Sequence, residues 1–410
     1  MKKLLNKNTI VLLDQAVFSG GSFLITIILA RFVLTTFNFG IFSSFTLFNY
    51  AVVSLLNSVI IQPFQVSLEK MEDKKSYISF NFWSQIALVA LITLGLFVTI
   101  KADFTFLSSI KHLSENALLF FVGFIMHDYS RKLFLAKADV FISFLIDFVT
   151  TSLHLSILAY AWYTSVNSLN TIVLLFGLSY IPSLLISVFV LLPNFNKLKS
   201  WVDYFKLHLE QGKWLLLTTL TQWWASNLFI VTSGVYLGVA SLGAFRLVQS
   251  LFGILNLVLQ TFENFVLPQA SRKYSESAES AKTYLKSITK KSGLLFGVVL
   301  LVLFIFSEQV MKLSGGEKYL SYSYIVKGMV ILYAFIFIGY PIRLSIRLLI
   351  LNRVFFVGSL LSFFFSLISF DFLLKNWGIN GAVIGLIASQ LIVLSYWQYI
   401  LFKHKFVLWK

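Results

Sequence analysis

The chain has 410 residues, 58% hydrophobic and 12% charged, with a mean hydropathy of +0.83 and a formal net charge of +16. Soluble domains are about a quarter charged, so this composition excludes the ordinary globular classes and points to a chain that lives in lipid. Cysteine is absent, which excludes disulfides and thiolate metal sites.

A helix needs about 20 apolar residues to cross a bilayer. Twelve such runs follow one another, at 9–34, 38–64, 77–100, 113–135, 139–164, 169–192, 212–238, 241–267, 284–307, 320–346, 353–374 and 379–402. Strands are not expected, because transmembrane strands are about 10 residues long and alternate in polarity. After Met1-Lys2-Lys3 the first run is longer than a secretory core and carries Asp14, so it is expected to remain as a helix. Placing both termini in the cytoplasm puts 25 of the 33 Lys and Arg residues on inward segments, Arg131, Lys132, Lys197, Arg343 and Arg347 among them. Outward loops receive six, Arg31, Lys101, Lys111, Lys312, Lys318 and Lys375. That asymmetry follows the positive-inside rule. The positive charge therefore reads as topology, and no nucleic-acid partner is expected. No loop is long enough to be a domain; the largest inward segments are about 193–212 and 268–284, the second a polar surface helix or loop.

Polar residues recur at helical spacing inside several runs. Arg246, Gln249, Gly253, Asn256, Gln260 and Glu263 climb one run in steps of three and four, which places them on one helix face. Asn264 adds a further amide beside them. A helix in lipid keeps such a face where it lines protein or a hydrated path. Shorter stripes run through Gln15, Ser19, Ser22 and Thr26 beside Asp14; through Ser43, Tyr50, Ser54 and Asn57; and through Ser143, Asp147, Thr151 and His154. Ser and Thr also serve as ordinary packing residues between membrane helices. His127, Asp128 and His154 are too scattered for a metal site and read as satisfied interior groups. No metal or cofactor is expected.

The two halves echo each other. With an offset of 203, Gly40 meets Gly243, Phe42 meets Phe245 and Lys70 meets Lys273, while Pro63 and Pro268 fall two places out of register. Parallel repeats of this kind are common in transporters. The expected division is a six-helix half at 1–192, a cytoplasmic linker at 193–212 and a second six-helix half at 213–410.

Four stretches carry a family resemblance: Leu29-Ala30-Arg31 with Phe39-Gly40-Ile41-Phe42; Gly243-Ala244-Phe245-Arg246 through Leu267-Pro268-Gln269-Ala270-Ser271; Arg131 to Ala136; and Trp377-Gly378-Ile379-Asn380-Gly381-Ala382-Val383-Ile384-Gly385. On these the chain resembles the polysaccharide flippases of the multidrug, oligosaccharidyl-lipid and polysaccharide exporter superfamily, above all exporters of O-antigen and capsule repeat units. The resemblance implies an all-α integral membrane protein, two pseudo-symmetric six-helix bundles around a central cavity, in a bacterial cytoplasmic membrane. It implies as cargo an undecaprenyl-pyrophosphate-linked glycan flipped to the outer leaflet by alternating access, with glycan polymerase and chain-length machinery as further partners.

On that basis Arg246, Gln249, Asn256, Gln260, Glu263, Lys327, Arg31 and Asn57 are the expected cavity residues. Amides suit sugar hydroxyls, and Arg246 and Lys327, with Arg31, suit a pyrophosphate. Alternatively, Arg246 and Glu263 pair with neighbouring helices and Arg31 snorkels to the interface. Asp14 and Asp147 are candidates for a coupled proton or sodium ion, or for pairing with a base. Gly315-Gly316-Glu317-Lys318 lacks phosphate-loop spacing, so ATP hydrolysis is not expected and the chain is not read as an enzyme. An ion-coupled multidrug or cation antiporter of the same fold is the rival.

Overall fold

In a computed structural model, residues 7–101, 115–194 and 198–408 are described. The positions Lys2, Lys3, Lys111, Lys197 and Lys410 lie outside them, as does the start of the expected span 113–135. Among the described residues every regular element is helical. Nine stretches among the described residues are long and apolar enough to cross a membrane. This is a multi-pass membrane protein. Leu91, Phe189, Leu294, Leu295 and Ile368 are all highly exposed, the arrangement that lipid rather than water rewards.

The chain divides into two compact units, residues 1–220 and 221–410. In the first, α1 (Lys7–Ile28) ends in a widened π turn at Leu29–Val33. Thr35 caps α2 (Thr36–Leu56) by accepting from the Asn38 amide at 3.2 Å. A second π turn, Asn57–Ile61, joins α2 to α3 (Gln62–Ser67), whose first turn holds Pro63. Then come α4 (Lys74–Lys101), α5 (Asn116–Ala136) and α6 (Val140–Tyr163). The span Leu169–Leu191 is bent into α7 (Leu169–Ser179) and α8 (Ile181–Leu191), where Pro182 cannot donate to the helical ladder. Helix α5 is the hub. It packs against α2, α4, α6, α7 and α8, while α1 lies along α6. Phe42, Phe45, Phe120 and Phe176 interlock at ring separations of 5.9–6.3 Å, near the geometry that aromatic quadrupoles favour.

Residues 193–212, expected as a linker, are helical from Leu198 onward as the start of α9 (Leu198–Leu237). Two side chains dock its first turns on the first unit. His208 Nδ1 lies 2.9 Å from the Val59 carbonyl and therefore carries the proton, leaving Nε2 to accept from the Tyr77 hydroxyl at 2.8 Å. Burial holds the His208 pKa below its ordinary value.

The second unit contains α10 (Val239–Glu276), α11 (Ala278–Ile305), α12 (Ser307–Gly315), α13 (Ser323–Leu348) and α14 (Asn352–Lys403). The segment at 268–284, expected on the inward side, is helical on both sides of Ser277, whose hydroxyl caps α11 by accepting from the Ser280 amide at 3.0 Å. Residues expected as an outward loop form α12 and a 3-10 turn at Glu317–Tyr322, hinged at Gly316. Gly378 breaks α14 with φ 53° and ψ −132°, so it folds as two arms matching the expected spans 353–374 and 379–402. Phe252 meets Tyr333 at 4.7 Å and Phe296 stacks on Phe337 at 4.6 Å, tying α10 and α11 to α13. Of the twelve expected spans, α5 and α9 fall outside the strongly apolar set. Asp128, Arg131 and Lys132 interrupt α5, and Thr, Gln and Trp dilute α9.

Candidate functional site

The first unit buries a charged cluster on α5. Arg131, counted from sequence among the inward topology charges, is 7% exposed. Its Nε donates to Asp147 Oδ2 on α6 at 2.6 Å, and an NH2 proton reaches Asp14 Oδ2 on α1 at 2.8 Å. The guanidinium lies 3.9 Å above the Phe18 ring and 3.5 Å from Gln15 Oε1. Ser143 donates to the other Asp14 oxygen at 2.9 Å, and His127, one turn before Arg131, puts Nε2 3.4 Å from Asp147 Oδ1. Asp14 and Asp147 are thus brought together, though 133 positions apart in the chain. Burying a charge in lipid is expensive unless it is paired, and here the pairing spans three helices. The sequence missed Arg131 because a cation near a helix end fits a topology rule equally well; the signal was its place four residues after His127 in a helix apolar to both sides.

A second polar network surrounds the second π turn. Asn81 Nδ2 donates to the Ile60 carbonyl at 3.2 Å and Asn81 Oδ1 accepts from Tyr129 at 2.8 Å. With His208 on Val59, side chains thus engage two carbonyls of the widened turn. Asn57, its first residue, donates to Asp128 Oδ2 at 3.3 Å, and Lys132 pairs with the same oxygen at 2.7 Å. π turns frequently mark functional positions.

The second unit holds the expected stripe on α10. Arg246 and Gln249 are half-buried and bonded to each other at 2.9 Å. Gly253 is half-buried, and Asn256 and Gln260 are exposed. Glu263 is buried and ion-paired with Arg347 and Arg343 on α13, and Tyr340 donates to its Oε2 at 3.0 Å. Glu263 thus pairs with a neighbouring helix. Arg343 and Arg347 were also assigned to topology, and only the packing of α13 on α10 turns them toward a carboxylate. The Asn264 side chain lies outside the described residues.

Lys327, expected inside a span, is exposed with its ammonium 5.9 Å over Phe304. It lies in the second turn of α13, within the apolar stretch Glu317–Leu348. Arg31 sits in the first π turn, half-buried over Phe32 at 5.0 Å. Among the described residues no group of three or more metal-type side chains converges.

No family model matches the sequence. No curated protein matches it either. Solved structures do. An inward-closed lipid II flippase, MurJ, superposes with a TM-score of 0.70 at 13% identity, covering 96% of this chain and 87% of that one. An inward-facing multidrug resistance MATE family transporter of the MOP superfamily gives 0.69 at 13% identity, with 99% and 97% covered. A MOP superfamily transporter from Pyrococcus furiosus gives 0.57 at 14%, with 97% and 92% covered. The fold is that of the MOP-superfamily transporters. Identity this low transfers fold, and cargo must be argued from the side chains. In this MOP fold the side chains divide by unit. The first holds a sealed ion cluster, and the second an amide-bearing helix whose polar stripe meets a half-open arginine pair at Glu263.

Proposed function

We propose that the chain is a flippase moving undecaprenyl-pyrophosphate-linked oligosaccharide repeat units from the cytoplasmic to the outer leaflet of a bacterial cytoplasmic membrane. Alternating access is the mode, and assembly of a surface polysaccharide such as O-antigen or capsule the purpose. The observation that carries this reading is the engagement of the buried carboxylates. Asp14 and Asp147 are held by Arg131, and Glu263 by Arg343 and Arg347, whereas Asn256 and Gln260 stand exposed. Amides with surplus guanidinium suit a hydroxyl-rich anion; an organic cation would want free carboxylates and open aromatic faces. The likeness to a lipid II flippase agrees with this at the level of fold. The likeness to multidrug transporters supports the second reading, an ion-coupled multidrug or cation antiporter. Export of two negative charges from an inside-negative cell is favoured by about 5 kcal/mol per 100 mV, so membrane potential can assist.

The test is mass spectrometry of undecaprenyl-linked saccharides in a strain lacking the protein. Complete repeat units should accumulate while surface glycan is lost, and the wild-type chain should restore both. Unchanged lipid-linked saccharides with intact surface glycan would refute the flippase and leave the antiporter.

Ion coupling at Asp14 and Asp147 belongs to the same proposal, with the proton as the ion. Both Asp14 oxygens and one of Asp147 already have donors within 2.9 Å. A hard metal cation needs several oxygen ligands at once, and Arg131 occupies that place. Two carboxylates against one guanidinium leave a single buried negative charge, which one proton between Asp147 and His127 neutralises. Transport by the purified protein in proteoliposomes should therefore persist when potassium replaces sodium and fall at least tenfold in Asp147→Asn. A strict sodium requirement would refute proton coupling.

A further inference from the structure

We infer that Arg343 and Arg347 form a binding site for the phosphate groups of a lipid pyrophosphate, and that Glu263 occupies it as a tethered stand-in while no cargo is bound. The inference deepens the flippase reading, on which the identity of the biological ligand rests.

Arg343 and Arg347 lie one turn apart on α13, so their side chains share a face. Two like charges at that spacing repel, and an anion between them is what stabilises the pair. Glu263 from α10 supplies one negative charge against two positive, leaving the site one charge short of neutral. The contacts are also unequal. Arg347 NH1 pairs closely with Glu263 Oε1, whereas Arg343 Nε stands 3.9 Å from Oε2. That distance is beyond a hydrogen bond, and the same Nε is buried with no hydrogen-bond partner. A guanidinium fork is thus only partly used.

Exposure points the same way. The arginine side chains are 40% and 42% exposed, while the Glu263 side chain is 8% exposed. An anion can approach both cations from the open side without first displacing a wall of the protein. The carboxylate behind them is fixed by Tyr340, whose hydroxyl also reaches the Leu259 carbonyl at 2.8 Å. Arg347 rests over Phe355 and Arg343 over Tyr340, each at 5.8 Å, which holds the forks in place and lowers the ordering cost of binding. A pyrophosphate offers more acceptor oxygens than one carboxylate and takes guanidinium groups two-pronged. It completes the unused contacts of Arg343 and competes with Glu263 for Arg347. The same cluster explains why Glu263 closes the polar stripe of α10. The stripe runs from the exposed amides to the anion site, sugar contacts followed by the phosphate contact.

The experiment uses the full-length purified protein in detergent, with farnesyl pyrophosphate, inorganic pyrophosphate and phosphatidylglycerol as probes, read by binding titration and thermal unfolding midpoint. The wild type should bind farnesyl pyrophosphate and be stabilised by it. Arg347→Ala should weaken binding by about tenfold or more, the weight of a charge-assisted contact. Glu263→Gln removes the competitor and should bind about tenfold more tightly, with a larger thermal shift than wild type. Weaker or equal binding by Glu263→Gln overturns the stand-in role. Should that variant fail to fold, Arg347→Lys decides, since it keeps the charge and loses the fork; binding equal to wild type overturns the site. A preference for the polyprenyl over the inorganic pyrophosphate supports a lipid-linked ligand, whereas binding of phosphatidylglycerol alone overturns it. Pyrophosphate binding with no accumulation of lipid-linked saccharides in the deletion strain would keep this site and remove the flippase reading. Accumulation without binding would do the reverse.

Discussion

Arg131→Leu is expected to cost about 3–5 kcal/mol of stability, because it leaves Asp14 and Asp147 buried together with no counter-charge. In practice the variant should accumulate poorly in membranes, and its unfolding midpoint in detergent should fall well below that of the wild type. The companion experiment separates charge from packing. Adding Asp14→Asn and Asp147→Asn to Arg131→Leu removes the two uncompensated carboxylates, and most of the lost stability should return. Neutral replacement of buried ion groups is often tolerated or even stabilising. A single Arg131→Leu variant as stable as wild type would show that the cluster is not held as described. Failure of the triple variant to recover would show that shape, including the stacking on Phe18, outweighs charge there.

Gly381→Ala is the second change expected to be severe. A Cβ at this position would stand 2.0 Å from the Leu373 carbonyl oxygen and 2.5 Å from its carbon. Both are backbone atoms, across the break at Gly378, so no rotamer change relieves the clash. Gly378 itself adopts φ 53° and ψ −132°, a region that a side chain strongly disfavours. The two glycines let the arms of α14 turn back within a few residues. Gly381→Ala should cost about 3 kcal/mol by overpacking, and Gly378→Ala about 1–3 kcal/mol by backbone strain. Gly297→Ala is the control, since a Cβ there meets nothing within 4 Å; it should stay within about 0.5 kcal/mol of wild type. Thermal unfolding of the purified variants measures all three. A Gly381→Ala midpoint matching that of Gly297→Ala would contradict the turn as built.

The stretch around Gly381 shows how a sequence signal can be right about place and silent about cause. Trp377 to Gly385 stood out for its glycines, but a glycine in an apolar helix fits close packing or a turn equally well. A Cβ on Gly385 would stand 2.2 Å from the Phe229 ring, so this glycine serves packing. Gly378 serves the turn.

By itself the sequence determined that the chain is helical, that it crosses a membrane many times, and roughly where the long apolar helices lie. Those properties depend on apolar content over about 20 residues and on the 3.6-residue period, and both can be read locally. It also determined the polar face of α10 from Arg246 to Glu263, because one helix carries it. Only the tertiary structure decided which charges meet. Asp14, Arg131 and Asp147 lie on three helices, and Glu263 lies 84 positions from Arg347; in the sequence each arginine looked like a topology marker. Burial was decided there too, leaving Lys327 exposed and sealing Arg131. Whether a charge in a membrane helix is sealed or open depends on the side chains that other helices bring against it, and the chain's local pattern contains no record of which helices those are.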